Sequence, residues 1–502
     1  MNILQACADE KLFAPWFKSR SDWAAWMAFL AALYALPMTP EMLLTYQQCT
    51  GRTAPPTVAA LEAWLICGRR AGKSFIMALN AVFIACFGEY RKHLARGERG
   101  TVLVIATDRR QARNIIRYIR GLLEGIPMLK RMVERETTES FDLKNAITIE
   151  VAAASFKSVR GYTIVAALCD EIAFWPSEDA AEPDFAILDA LRPAMATIPS
   201  AKLLCASSPY ARRGALYDAF TRYYGKDDTN VLVWKANTRT MNPTVPQAII
   251  DQAFERDPAS ASAEYGAEFR NDISQFVSRE AIEACLSPRV LERSRVPGVI
   301  YQAFVDPSGG SSDSMTLAIA HRQATPDNKK AIGVLDAVRE IRAPFSPDAA
   351  VAEFAQLLQS YAVRFVRGDR YAAEWVVGAF KKVGIEYRPA DLAKTEIYRD
   401  FLPRLNSGEV DLLDNQRLIT QLLGLERRTA RGGRDSIDHA PGGHDDLANA
   451  VAGALVYLLS ERHQEPVACF GVYGYFPQRP QKSRFDGLIT EGPGAGGWAA
   501  SR

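Results

Sequence analysis

A chain of 502 residues, 48% hydrophobic and 24% charged, has the composition of a globular protein with two or three domains and ample buried core. Its 60 basic and 58 acidic residues leave a net charge of only +2. That balance argues neither for nucleic acid nor against it, because a basic channel can be offset by acid elsewhere. No pair among the eight cysteines has Cys-x-x-Cys spacing, and several sit in apolar runs such as Leu65-Ile66-Cys67. This excludes a disulfide framework or zinc ribbon and reads as small buried hydrophobes in a reducing compartment.

In chain order, the start Met-Asn-Ile-Leu has no basic segment leading an apolar core, so no signal peptide is expected. Trp23 to Leu36 is apolar but too short to span a bilayer, where about 20 residues are needed; it predicts a buried helix and a cytosolic protein. Residues 1–60 read as helical, broken by Pro37 and Pro40 and ended by Pro55-Pro56. The pattern then alternates: strand Ala63–Cys67, helix Ser74–Phe87, strand Thr101–Ala106, helix Arg109–Leu123, and strands Ile147–Ala153, Thr163–Cys169 and Ala201–Ala206. Such alternation predicts an α/β domain over 61–270 with a mainly parallel sheet. Residues 271–298 lack strong strands and read as a linker. From 299 to 463 three consecutive strands (Val299–Val305, Met315–Ala320, Ala331–Val338) precede a helix at Pro347–Tyr361, a strand at Arg364–Val366 and further helices, the order of an RNase H-like domain. The tail 464–502, ending in a Gly-Pro-Gly-rich run, is expected to be irregular and mobile.

Two constellations carry chemistry. The first is Cys67-Gly68-Arg69-Arg70-Ala71-Gly72-Lys73-Ser74, a strand-to-helix loop of P-loop type in which Cys67 replaces the usual first glycine. Its backbone N–H groups and helix N-terminus suit phosphates, Lys73 the β- and γ-phosphates, and Ser74 a Mg²⁺ ion. Arg69 and Arg70 bring positive charge within reach of the γ-phosphate. The strand ending in Asp170-Glu171 completes the site, with Asp170 holding Mg²⁺ through water and Glu171 deprotonating the attacking water. ATP and Mg²⁺ are therefore the expected substrate and ion. Ser207-Ser208-Pro209 is a polar strand end suited to sensing hydrolysis. Arg160, in Ser155-Phe-Lys-Ser158-Val-Arg160-Gly161, is by its residues alone either a solvated loop arginine or an arginine finger acting across a subunit interface.

The second constellation is three carboxylates: Asp306 and Asp369 at strand ends, and the pair Asp445-Asp446 at the start of an apolar helix. Hard divalent cations favour such oxygen ligands, and two Mg²⁺ or Mn²⁺ ions so held cleave phosphodiesters. Either member of the helix pair could cap the helix while the other meets the metal; Asp313 is a spare carboxylate, and His439 and His444 read as supporting groups.

An ATPase with these motifs, in this order, followed by a triple-acid nuclease resembles the large terminase subunit of tailed bacteriophages over about residues 60–460. Ala106-Thr107-Asp108-Arg109-Arg110-Gln111-Ala112 and Gly443-His444-Asp445-Asp446-Leu447 belong to the motifs that carry the resemblance, with the two constellations above. It implies an ASCE-type P-loop ATPase that pumps double-stranded DNA through the portal protein into a procapsid, and a nuclease that cuts the concatemer. It further implies a homo-oligomeric ring (a pentamer) on the procapsid, a small terminase subunit as partner, no membrane, and action in the host cell cytoplasm outside the mature virion. By the same resemblance Arg69 acts within its own subunit, and Arg160 becomes the finger for a neighbouring one. The alternatives weighed are a superfamily 2 translocase with a fused nuclease, which would need a second motor domain, and a DDE-type transposase or integrase, which would join DNA ends.

Overall fold

The computed structural model describes residues 1–154, 161–175, 183–227, 229–311, 313–324, 331–369, 374–429 and 435–460. Arg160 and the tail from 464 lie outside them.

The first half is one eight-stranded sheet: β1 (Glu62–Cys67), β2 (Gly100–Ala106), β3 (Val133–Glu136), β4 (Ser140–Leu143), β5 (Ile147–Ala153), β6 (Thr163–Asp170), β7 (Lys202–Ser207) and β8 (Val231–Ala236). Their order is β3-β4-β5-β2-β6-β7-β1-β8. Every pairing from β5 to β8 is parallel, and only β3-β4-β5 is antiparallel. Strands of a parallel sheet covered by helices are buried on both faces and read as unbroken apolar runs. All seven residues of β2 and the last seven of β6 are buried, which is why the sequence located them. Alternate residues of β1 divide between two layers. Ala63, Leu65 and Cys67 join the core beneath the helices Lys73–Phe87 and Arg109–Gly125, while Trp64 and Ile66 join the opposite core with Leu188 and Leu216. The apolar segment near Trp23 is the helix Ala24–Leu33, in which eight residues are buried within the protein. Among the described residues no helix is long and apolar enough to cross a membrane.

The second half holds β9 (Ile273–Gln275), β10 (Leu286–Ser287), β11 (Tyr301–Asp306), β12 (Met315–Ala324), β13 (Ala331–Ile341), β14 (Phe365–Gly368), β15 (Glu386–Pro389), β16 (Val410–Leu413), β17 (Leu425–Thr429) and β18 (Asp435–His439). Seven form a sheet in the order β10-β16-β13-β12-β11-β14-β15. β11, β12 and β13 are an antiparallel meander, and β14 and β15 run parallel to β11. This is the RNase H-like order expected. The helix Asp446–Ser460 packs across β11, β12 and β13, with twelve buried residues.

Residues 271–298 are more than a linker. β9 pairs with β17, the helix Arg279–Ala284 follows, and Phe276, Val277, Ile282 and Cys285 are buried in the second half's core. These elements are short and their apolar residues too few for a periodic signal, so tertiary pairing alone reveals them.

Candidate functional site

The parallel sheet places the first constellation. In the order β2-β6-β7-β1-β8, the loop after β1 and the acids ending β6 flank the end of β7. The register pairs Asp170 with Ala206 and Ile66 with Ser207, so Gly68–Ser74, Asp170-Glu171 and Ser207-Ser208 meet at one carboxyl edge. Ligand crevices of open α/β sheets lie at such edges.

Within the loop, Gly72 has φ of 98° and caps the helix Lys73–Phe87, a left-handed conformation natural to glycine. Arg70 shares it at φ 63°. Outside groups fix the loop: Trp26 Nε1 donates to the Ala71 carbonyl (2.8 Å), Thr238 Oγ1 to that of Arg69 (2.8 Å) and Asn242 Nδ2 to that of Arg70 (2.8 Å). A side chain at Gly68 would collide with the Thr238 hydroxyl and the Tyr265 carbonyl, so glycine is needed there although not at Cys67. Cys67 ends β1, fully buried, with its thiol pushed up to about 12 by burial, and contributes only its carbonyl to the site.

Lys73, 5% exposed, donates to the carbonyls of Cys67 (2.9 Å) and Gly68 (3.2 Å) and lies 3.5 Å from Glu171 Oε1. Ser74 Oγ donates to Asp170 Oδ2 at 2.9 Å. The other oxygen of Asp170 is buried without a hydrogen-bond partner, and burial, with Glu171 beside it, raises this carboxyl to about 6. Glu171, at φ 51°, has Oε2 held by Ser207 Oγ (3.0 Å) and the Ser208 N–H (3.3 Å). The cleft over these groups has a volume of about 1730 Å³ and is walled by Trp23, Phe75 and Tyr118. A P-loop lysine, a Ser–Asp pair with an orphaned buried oxygen and a held glutamate fit a nucleotide with its Mg²⁺.

Arg69 lines the same cleft, with its guanidinium paired to Glu264 Oε1 at 3.0 Å. Arg70 is exposed at the cleft. Sequence reasoning passed over Gln111, whose amide reaches Asp170 Oδ2 at 3.5 Å, and the clamps Thr238, Asn242 and Trp26. Gln111 sits within a motif already noted, but the clamps come from distant segments and leave no local signal.

The second constellation forms at the carboxyl edge of β11 and β14. Their parallel register pairs Val305 with Gly368, which puts Asp306 beside Asp369. The helix Asp446–Ser460 supplies the third acid: Asn449 donates to Asp306 Oδ2 at 2.9 Å, and Asp446, one turn earlier, lies on the same face. Burial, opposed by Asn449 and reinforced by Asp446 and Asp445, raises Asp306 to about 8. Burial and Asp445 raise Asp446 to about 6, and its Oδ2 is buried without a hydrogen-bond partner. Crowded, dehydrated carboxylates of this kind fit a divalent cation. Asp313 adds negative charge near Asp446, and His444 Nδ1 lies 4.0 Å from Asp446 Oδ2.

The pair Asp445-Asp446 resolves unequally. The carbonyl of Asp445 accepts the first helical bond, from the Asn449 N–H (2.7 Å), and its carboxylate is taken by Lys394 Nζ (2.7 Å to Oδ2) and the Tyr398 hydroxyl (2.8 Å). Asp446 is thus the member that shares a face with Asn449 and Asp306. Among the described residues, the one trio of potential ligand side chains whose atoms lie within 4.8 Å of one another is Asp438, His439 and Asp445, not the expected Asp306, Asp369 and Asp446. Asn449 was legible as the residue three after Asp446, but Lys394 and Tyr398, about fifty residues away, were not.

No protein-family model matches this sequence, and no curated protein matches it. The chain is similar to solved structures of phage large terminases. That of bacteriophage HK97 is 14% identical, covers 80% of this chain and 91% of its own, and has a TM-score of 0.36. That of a thermophilic bacteriophage is 11% identical over 87% of this chain and 98% of its own, with a TM-score of 0.37. The large terminase nuclease of thermophilic phage G20c with bound magnesium is 15% identical over 35% of this chain and 94% of its own, with a TM-score of 0.29. At TM-scores this low, the reading of function rests on the geometry of the two sites.

Proposed function

We propose that the chain is the large terminase subunit of a tailed phage, coupling ATP hydrolysis to translocation of double-stranded DNA and cutting that DNA in its second half. One observation carries this reading: a single chain joins the Lys73–Glu171 site on a parallel sheet to an Asp306–Asp369–Asp446 edge on an RNase H-like sheet. In the first site Lys73 turns from the Cys67 and Gly68 carbonyls to the incoming phosphates. Glu171, held through one oxygen by Ser207 and Ser208, takes the proton of the attacking water. Ser74 and Asp170 would hold Mg²⁺ in one site, and Asp306, Asp369 and Asp446 would hold Mg²⁺ or Mn²⁺ in the other; bound there, the ion would supply Lewis acidity towards phosphoryl oxygens and lower the pKa of a bound water.

The strand end that touches Glu171 also leads out of the site. Tyr210 donates to Glu426 Oε2 (2.8 Å) and Arg213 pairs with Glu426, a fully buried residue of β17. Loss of the γ-phosphate would thus be felt at the start of a segment gripping the second half. The portal protein, a small terminase subunit, a pentameric ring and action in the host cytoplasm belong to the same reading, with Arg160 as the finger between subunits. The test separates the sites. Glu171→Gln is expected to lose ATP turnover and keep Mn²⁺-dependent nicking of plasmid DNA, and Asp369→Asn the reverse. A Glu171→Gln chain that still hydrolyses ATP, or an Asp369→Asn chain that still nicks, overturns the assignment.

A further inference from the structure

Asp438, His439 and Asp445 are clustered as a metal site would be, yet the charge there is met from within the chain. Lys394, at the start of the helix Lys394–Asn406, donates to Asp438 Oδ1 at 2.9 Å and to Asp445 at 2.9 Å (Oδ1) and 2.7 Å (Oδ2). The Tyr398 hydroxyl, one turn on, adds a bond to Asp445 Oδ2. Both oxygens of Asp445, a residue 3% exposed, are therefore occupied by donors that a divalent ion would have to displace. Asp446, the next residue, has no such donor on its buried Oδ2.

We propose that Lys394 is a positioning residue for the nuclease: a built-in cation that denies Asp438, His439 and Asp445 to metal and leaves Asp446 to work with Asp306 and Asp369. This rests on the nuclease reading of those three acids. Without the ammonium, Asp445, next in sequence to Asp446, and Asp438 become free oxygen ligands. They would then bind an ion of their own and draw the start of the helix Asp446–Ser460 towards it. Supporting groups around a metal site are worth about 10–100-fold in affinity or activity when removed.

The test uses the full chain with Mn²⁺ as probe, followed by its electron paramagnetic resonance, alongside ATP turnover and plasmid nicking. Lys394→Met is expected to bind one Mn²⁺ more than the wild type, to nick at least about tenfold more slowly, and to hydrolyse ATP unchanged. Lys394→Arg should restore the wild-type Mn²⁺ count, and Lys394→Met combined with Asp445→Asn should remove the extra ion. An unchanged Mn²⁺ count in Lys394→Met with ATP turnover intact overturns the proposal, as does an extra ion that survives Asp445→Asn. Should Lys394→Met lose its fold and its ATP turnover together, Lys394→Gln, which removes the charge but keeps a hydrogen-bond donor, decides: a Mn²⁺ count one above wild type supports the proposal and the wild-type count overturns it. Failure of the wild-type chain to bind Mn²⁺ or to nick would instead refute the nuclease reading itself.

Discussion

Asp170 and Glu171 share their pocket with Lys73, whereas Lys394, beside Asp306 and Asp446, bonds Asp445 and Asp438 instead. The first site thus carries its own cation, ready to exchange a glutamate and two carbonyls for a phosphate. The second keeps its acids crowded, and burial raises two of them, Asp306 and Asp446. A site that binds an anionic substrate needs resident positive charge, while one that binds cations keeps negative charge poorly satisfied until they arrive. The same residue type, a strand-end aspartate, serves both because its neighbours differ.

The largest expected effect tests the cationic side. Lys73→Ala leaves the phosphates without their main counter-charge, and ATP turnover should fall by about 10²–10³-fold or more, while Mn²⁺-dependent nicking persists. Nicking lost in parallel with turnover would mean that the two sites are not electrostatically independent.

Next is the pH dependence of the acidic side. Asp306 is raised from 3.8 to about 8, so the folded, metal-free chain keeps a proton there that the unfolded chain releases near pH 4. With more protons bound in the folded state, stability falls as pH rises from about 4 to about 8. In a chelating buffer the melting temperature of the wild type should decline across that window, and that of Asp306→Asn should decline less. Because metal needs the ionised carboxylates, nicking at limiting Mn²⁺ should rise over the same range. A melting temperature equally pH-dependent in both chains would show that Asp306 is not the proton's holder.

The smallest expected effect concerns Arg69, whose exposed pair with Glu264 is worth about 0–1 kcal/mol of stability. Arg69→Ala should therefore scarcely move the melting temperature. A large loss of ATP turnover in that variant would show that the guanidinium leaves Glu264 for the nucleotide; unchanged turnover would remove Arg69 from the catalytic set.

Legibility in the sequence followed burial, with the exception of β8, which was passed over although five of its six residues are buried. β1, β2, β6 and β7 were readable because a covered parallel sheet demands unbroken apolar runs, and their polar ends announced Lys73, Asp170-Glu171 and Ser207-Ser208. β3, none of whose residues is buried, β4, where only alternate residues are, and β9, β10, β16, β17 and β18, only two to five residues long, gave no such signal.

By itself the sequence determined which groups could do chemistry: a glycine-bracketed lysine and serine, two acids ending a buried strand, and three further acids at element ends. Those follow from local backbone and polarity, which a short stretch of chain specifies. Only the tertiary structure decided how each is used. It paired Arg69 with Glu264, set Ser207 and Ser208 on Glu171, and gave Asp445 to Lys394 so that Asp446 lies with Asn449 and Asp306. The reason is physical: whether a buried carboxylate is satisfied, crowded or free depends on donors brought from distant segments, and no local pattern records which donors arrive.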